Sequence, residues 1–444
     1  MKKILFCLLL YLFPGVIFAN TEITIYNKNI GLVKETRKIK LNKGIQEYIF
    51  KRVSEHIIPE SVYLKFPNKN INILEQNFEY DLVNSLKLLH KYINKSIEIY
   101  TRQNKKYSGL LLSYDPDDLV LKTKAGITII SKENILTLKF AELPEGLITK
   151  PALRWKLEAA KKGTYNIKLS YLTRNITWQA DYIALLNKDD SKLDLKGWVT
   201  INNNTGLSFF DSKLLLIAGD INLIRNRPVK PEFRYKLSAL PIKNKSFKEE
   251  EFFEYHLYRL PYNVDIKNNQ QKQIKLLSAE NIKCKKEFVY EGEGKVKIYV
   301  IFKNSNKNNL GKPLPAGKLR IYKNDSLNSM QFIGENLIDH TPEGEPIKLL
   351  VGNAFDIIGS KTVIQYKKYK DNKYSYRYKY KYKVTIKNRK KEKVTVTVKE
   401  KVIGVWKIIN SSLPYTKEDA FTAAWKLVIP AKSEKTIIYE YESR

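Results

Sequence analysis

The 444 residues hold only four histidines and two cysteines, so few side chains can do acid–base, thiol or metal chemistry. Asp339-His340-Thr341-Pro342 with Glu345 groups one imidazole with two carboxylates, the set a hydrolase would need for proton transfer. The same residues also spell a turn in which Asp339 caps backbone N–H groups. The turn is preferred, because the sequence offers no partner to position His340. Glu254 and His256 share a strand face, but two ligands do not make a metal site. His56 and His90 are isolated. Asp115-Pro116-Asp117-Asp118 lacks the spacing of a calcium loop and reads as a hairpin turn. Cys284, flanked by Lys283, Lys285 and Lys286, reads as an unreactive strand thiol with no His or second Cys beside it. Phosphate-binding glycine loops, nucleophile elbows and zincin helices are missing from the sequence. It calls for no metal and no cofactor.

Binding chemistry is better represented. Tyr374, Tyr376, Tyr378, Tyr380 and Tyr382 alternate with Ser375, Arg377, Lys379 and Lys381, and Lys383 continues the basic series. On a strand this puts the phenol rings on one face and the basic groups on the other. Val384 and Ile386 extend the ring face, and Asn388-Arg389-Lys390-Lys391 turns the chain into Lys393–Val398. Between residues 367 and 401, fifteen Lys or Arg stand against three acids. Such a strand can pack its rings on a partner sheet while its lysines face water. It can also bind an anionic envelope polymer or lipid headgroups. Rings would stack on sugar faces, while Arg377, Lys379, Lys381 and Lys383 meet phosphate or carboxylate. Tyr374, Tyr376 and Tyr378 are the expected ring contacts.

The whole chain carries a formal net charge of +33. Lysine outnumbers arginine, 66 to 13, a skew that reads as compositional drift. Arginine would be expected at bidentate phosphate or guanine contacts, so nucleic acid is not an expected partner. The field still attracts anionic surfaces, and salt should weaken that attraction. With 43% apolar residues the chain is not disordered.

These groups must be positioned mainly by strands. Lys2 and Lys3 precede the apolar run Ile4–Phe13, Pro14-Gly15 breaks it, and Ala19 offers a small residue for cleavage. Residues 1–19 thus read as a secretory signal peptide, shorter than the ~20 apolar residues of a membrane span. Removal of the leader takes Cys7 and leaves Cys284 alone, so no internal disulfide is expected. Period-two alternation predicts an N-terminal β domain over 20–80. Over 85–142, one helix and five short strands resemble an Sm- or SH3-like small barrel, with Gly109 relieving crowding at a bend. A β domain is expected over 150–225, a Pro- and Lys-rich linker or loop over 226–250, and a C-terminal β-sandwich over 251–444. Lys417 to Trp425 has a weak helical period or is a loop. The fold class is mainly β: several antiparallel sandwich-like domains plus the small barrel. No segment beyond the leader has the length and apolarity of a membrane helix.

A series of motifs then carries a resemblance. Tyr171-Leu172-Thr173, Trp178-Gln179-Ala180-Asp181-Tyr182, Asn204-Thr205-Gly206, Asp211, Ala218-Gly219 and Glu254–Tyr258 come first. Leu310–Gly317, Ile338–Glu345 and Gly352–Asp356 follow in order. Over about 150–444 they resemble the exported bacterial family of domain of unknown function 4139, and are similar to the C-terminal half of mucoidy inhibitor A type proteins. The resemblance implies a largely β envelope protein with no established activity. The small barrel stands where those longer relatives carry a coiled coil. The expected function is a non-catalytic binding or structural module, exported and periplasmic or peripheral on the envelope. The alternative is a hydrolase of an envelope polymer using Asp339, His340 and Glu345. An outer-membrane barrel fits less well, because many strands carry Lys on both faces.

Overall fold

The structure, a computed structural model, describes residues 20–66, 70–219, 221–223, 248–252, 255–370 and 376–444. Residues 1–19, expected as the leader, and most of the expected linker lie outside the described residues, as does Tyr374. The protein is mainly β, with five sheets and one α-helix among the described residues.

Alternating apolar residues make the strands, but their partners are often distant in sequence. Ile30–Leu41 pairs with Asn20–Tyr26 on one side and with Gly163–Arg174 on the other. Asn20–Tyr26 lies parallel to Phe209–Ala218. Gly44–Lys51 and Ile71–Glu79 flank Ala152–Ala159 in a three-stranded sheet. The strands of 20–80 are therefore shared with sheets built by residues 152–218, where a separate N-terminal domain was expected. Local alternation specified each strand but not the partner that buries it.

The helix Ser85–Lys91 is capped by Asn84, whose side chain accepts from the Lys87 N–H at 2.9 Å. Five antiparallel strands follow in the spatial order Ile135–Lys139, Ser96–Thr101, Lys106–Tyr114, Asp118–Thr123, Gly126–Ser131. This is the expected helix and strand count with a core of its own around Ile97, Ile99, Leu111, Leu119 and Leu121. The sheet stays open: its first and last strands do not pair, so the expected barrel is not closed. Gly109 is needed because a Cβ there would sit 2.5 Å from the Lys122 carbonyl oxygen.

The largest sheet runs Met330–Ile338, Gly317–Asn324, Ile176–Leu186, Lys192–Asn203, Gln270–Tyr290, Val394–Lys401, Thr422–Ile429, Thr416–Asp419. Residues 417–425, with their weak helical period, are two antiparallel strand segments joined by a turn at 420–421, and Ala423, Ala424 and Trp425 are all buried. Lys297–Lys303 pairs with Gln270–Tyr290, and Pro346–Asn353 pairs with Lys297–Lys303. Asn336 links two sheet edges by copying a backbone pairing. Its side chain donates to the Leu350 carbonyl at 2.8 Å and accepts from the Leu350 N–H at 2.9 Å. The 21-residue strand Gln270–Tyr290 enters both large cores. Ile274, Leu276 and Ile282 belong to the first and Tyr290 to the second.

Trp178 and Tyr182 share the buried face, as their spacing predicts. Trp178 Nε1 donates to the Ile217 carbonyl at 3.2 Å, and the Tyr182 hydroxyl donates to the Pro315 carbonyl at 2.8 Å. The glycine closing the Leu310–Gly317 motif permits the parallel pairing with Ile176–Leu186. A Cβ on Gly317 would lie 2.1 Å from the Ala180 oxygen.

Candidate functional site

The tyrosine stripe lies in a four-stranded sheet ordered Ile357–Lys370, Tyr376–Asn388, Glu434–Ser443, Trp406–Ser411. At its root, Val384, Ile386 and Ile437 pack with Val394, Val396, Trp425 and Leu427 of the largest sheet. Outward along the same face, Tyr382 and Tyr380 are partly buried, Tyr378 is half-buried and Tyr376 is exposed. The rings form a continuous contact series. Centroid separations are 4.4 Å for Trp425–Tyr439 and 5.7 Å for Tyr439–Tyr382. The series continues at 5.8 Å for Tyr382–Tyr380, 5.0 Å for Tyr380–Tyr366 and 6.5 Å for Tyr366–Tyr378. One stripe is thus core at one end and surface at the other.

The basic groups divide differently from the sequence reading. Arg377 lies 3.5 Å from Glu442, and Lys379 lies 2.7 Å from Glu440. These carboxylates come from the strand that pairs with Tyr376–Asn388 and compensate part of the outer basic face. Lys381 stands opposite Glu440, and Lys383 opposite Ile438. On the other side, Lys368 is register partner of Tyr378, and Lys370 of Tyr376. Directly opposed residues in an antiparallel pair share a face, so two ammonium groups stand among the rings. Lys368 Nζ is 3.8 Å from the Tyr376 ring centroid and 5.7 Å from that of Tyr378, within cation–π range.

A buried ion pair ties this sheet to the largest one. Lys361 Nζ is 2.7 Å from both oxygens of Glu400, and the Tyr439 hydroxyl donates to Glu400 at 2.6 Å. Lys361 Nζ also sits 4.0 Å from the Tyr382 ring centroid. Burial, reinforced by the Glu400 carboxylate, pushes the Tyr439 phenol well above its usual pKa.

Asp339, His340 and Glu345 sit in loops joined at backbone level. Leu314 and Thr341 exchange both backbone hydrogen bonds at 2.9 Å. His340 Nδ1 accepts from the Ala316 N–H at 3.1 Å, and Thr341 Oγ1 donates to the Asp339 carbonyl at 2.8 Å. The turn is present, with His340 rather than the Asp339 carboxylate as the side-chain cap. The Glu345 carbonyl accepts from the N–H of Asn304, whose fully buried side chain donates to the carbonyls of Lys312, Thr341 and Pro342. Asn203 and Asn388, also fully buried, each donate to three carbonyls at the end of a strand in the same manner. That joint fixes the position of these loop residues.

The remaining polar groups resolve locally. Asp115 Oδ1 accepts from the N–H groups of Asp117 and Asp118, a hairpin turn as read from sequence. His256 stands opposite Ala218 in a strand pair, while Glu254 lies outside the described residues. Burial, then the nearby Asp190 and Asp189 carboxylates, push the Cys284 thiol up to about 11. No group of three or more His, Cys, Asp or Glu side chains placed to hold a metal occurs among the described residues.

Fold and surface together define a class: a multi-sheet β protein with a basic, aromatic hairpin at one edge of its C-terminal four-stranded sheet. The model of a family described as a domain of unknown function, DUF4139, matches residues 167–444. The chain belongs to that family. No curated protein matches it.

Proposed function

We propose that the protein is an exported envelope component that works by docking on anionic groups rather than by catalysis. The ring face of the 357–388 hairpin is its contact. One observation carries this reading: past the core, Tyr366, Tyr376 and Tyr378 remain accessible, with Lys368 and Lys370 on the same face. Rings held by a sheet present apolar area at little further entropic cost, and fixed ammonium groups add attraction to phosphate or carboxylate. The leader-like residues 1–19 support the export half of the reading. On the outer face, Lys381 and Lys383 extend the positive field. Nucleic acid is not the proposed partner.

The test is cell fractionation with a high-salt wash. The unaltered protein should pellet with envelope and most of it should be released by salt, because exposed charge pairs are screened. A Lys368→Gln/Lys370→Gln/Lys381→Gln/Lys383→Gln variant should move to the soluble pool. Retention of that variant on envelope, insensitive to salt, would discard the reading.

A further inference from the structure

The exposed end of the same sandwich carries an apolar feature that the hairpin alone does not explain. The segment joining Val394–Lys401 to Trp406–Ser411 projects Ile403 and Val405, which are 89% and 80% exposed. Between them Gly404 takes a φ of +85°, and a Cβ there would lie 2.1 Å from the Arg444 oxygen. The turn is therefore tight and backbone-packed. Val405 and Arg444 exchange backbone hydrogen bonds at 3.2 and 2.9 Å. The Val402 N–H donates at 2.8 Å to the carbonyl of Phe421, which is itself 57% exposed. Trp406 Nε1 donates to the Ala420 carbonyl at 2.7 Å, so two loops are tied together with their apolar side chains in water.

Sheet register places this tip beside the hairpin. Trp406 pairs with Ser443, Ser443 with Tyr378, and Tyr378 with Lys368. Lys401 and Lys407 flank the turn in sequence, and Lys417 Nζ lies 4.7 Å from the Trp406 ring centroid. Lys407 shares Glu442 at 3.9 Å, whereas Lys368 and Lys370 stand on the ring face of the same sheet, so the end that carries the exposed apolar groups also carries positive charge. Among the described residues, no helix is long and apolar enough to cross a membrane.

We infer that this end of the sandwich seats on the surface of an anionic lipid bilayer, with Ile403, Val405 and Phe421 entering the headgroup–acyl boundary and the lysines meeting lipid phosphates. A single exposed apolar residue needs no explanation, but a fixed group of them at a positively charged end does. A hydrated anionic glycan satisfies the ammonium groups and gives aliphatic side chains nowhere dry to go. A bilayer surface supplies both. The inference rests on the docking reading and names its partner.

The experiment is cosedimentation of the full chain with vesicles of mixed phosphatidylglycerol and phosphatidylcholine, beside vesicles of phosphatidylcholine alone and soluble alginate as a glycan probe. The chain should bind the mixed vesicles much more strongly than the neutral ones, and part of that binding should survive high salt. Ile403→Ser/Val405→Ser should weaken vesicle binding by about tenfold, equivalent to about 1.4 kcal/mol, with an unchanged thermal transition. Ile403→Trp/Val405→Trp should strengthen it. If binding to the mixed vesicles disappears in salt and ignores both double variants, or alginate binds equally well, membrane seating is overturned and anionic docking stands. If neither vesicles nor alginate bind, both readings fall.

Discussion

The root and the outer half of the Tyr376–Asn388 strand follow the same period-two pattern and meet opposite fates. At the root, Val384 and Ile386 have a second sheet above them and are fully buried. Three and four alternate positions outward, Tyr378 and Tyr376 stand opposite Lys368 and Lys370 of the neighbouring strand, and Tyr376 is exposed. Alternation assigns a side chain to a face, but what covers that face is decided by elements far away in sequence. Stability should therefore reside at the root, and binding at the outer half.

The comparison breaks most readily at Lys361. Lys361→Met strips the buried Glu400 carboxylate of its ammonium partner and leaves the Tyr439 hydroxyl beside it, which should cost about 3–5 kcal/mol in urea unfolding. Adding Glu400→Gln should recover much of that loss. Asn388→Ala removes three carbonyl partners and the acceptor for the Lys390 N–H. The expected cost is about 2–3 kcal/mol in the same measurement, the scale of stranded buried polar groups. At the outer half, Lys379→Gln loses a partly exposed pair with Glu440 and should leave the urea midpoint nearly unchanged. A root variant without effect, or an outer variant that unfolds the protein, would erase the division.

Alkaline titration sharpens the same contrast. Burial raises Tyr439 and Tyr441 above the ordinary phenol value of 10.0. The folded chain holds those protons more tightly than the unfolded one, so their contribution is complete below pH 10.0 and is lost as pH rises further. The urea midpoint should fall above that pH. Phenolate absorbance from these two rings should appear only as near-ultraviolet dichroism is lost, which site variants Tyr439→Phe and Tyr441→Phe would assign. The smallest effect concerns Cys284. With its thiol raised to about 11, alkylation by iodoacetamide at neutral pH should be slower than for a free thiol and should accelerate on unfolding.

Sequence pattern carried the β class, the helix-and-five-strand unit, the shared face of Trp178 and Tyr182, and the hairpin. These are set by neighbours a few residues apart. The partners of the 20–80 strands were hidden because sheet pairing is a long-range choice. The ring-face position of Lys368 and Lys370 depends on the register across the hairpin, which shifts between Val363 and Gln365. His340 could be read as a turn residue, but its partner Ala316 lies in another loop. Nothing in the sequence marks Ile403 and Val405 as exposed, since apolar character does not say whether anything covers it.

The strand Gln270–Tyr290 gives the molecule a continuous spine, one unbroken run of backbone gripped by two separate hydrophobic interiors. A pull on the C-terminal sandwich would travel along it as shear, loading many hydrogen bonds at once instead of peeling them one by one. A protein moored at that end would resist being torn free in pieces.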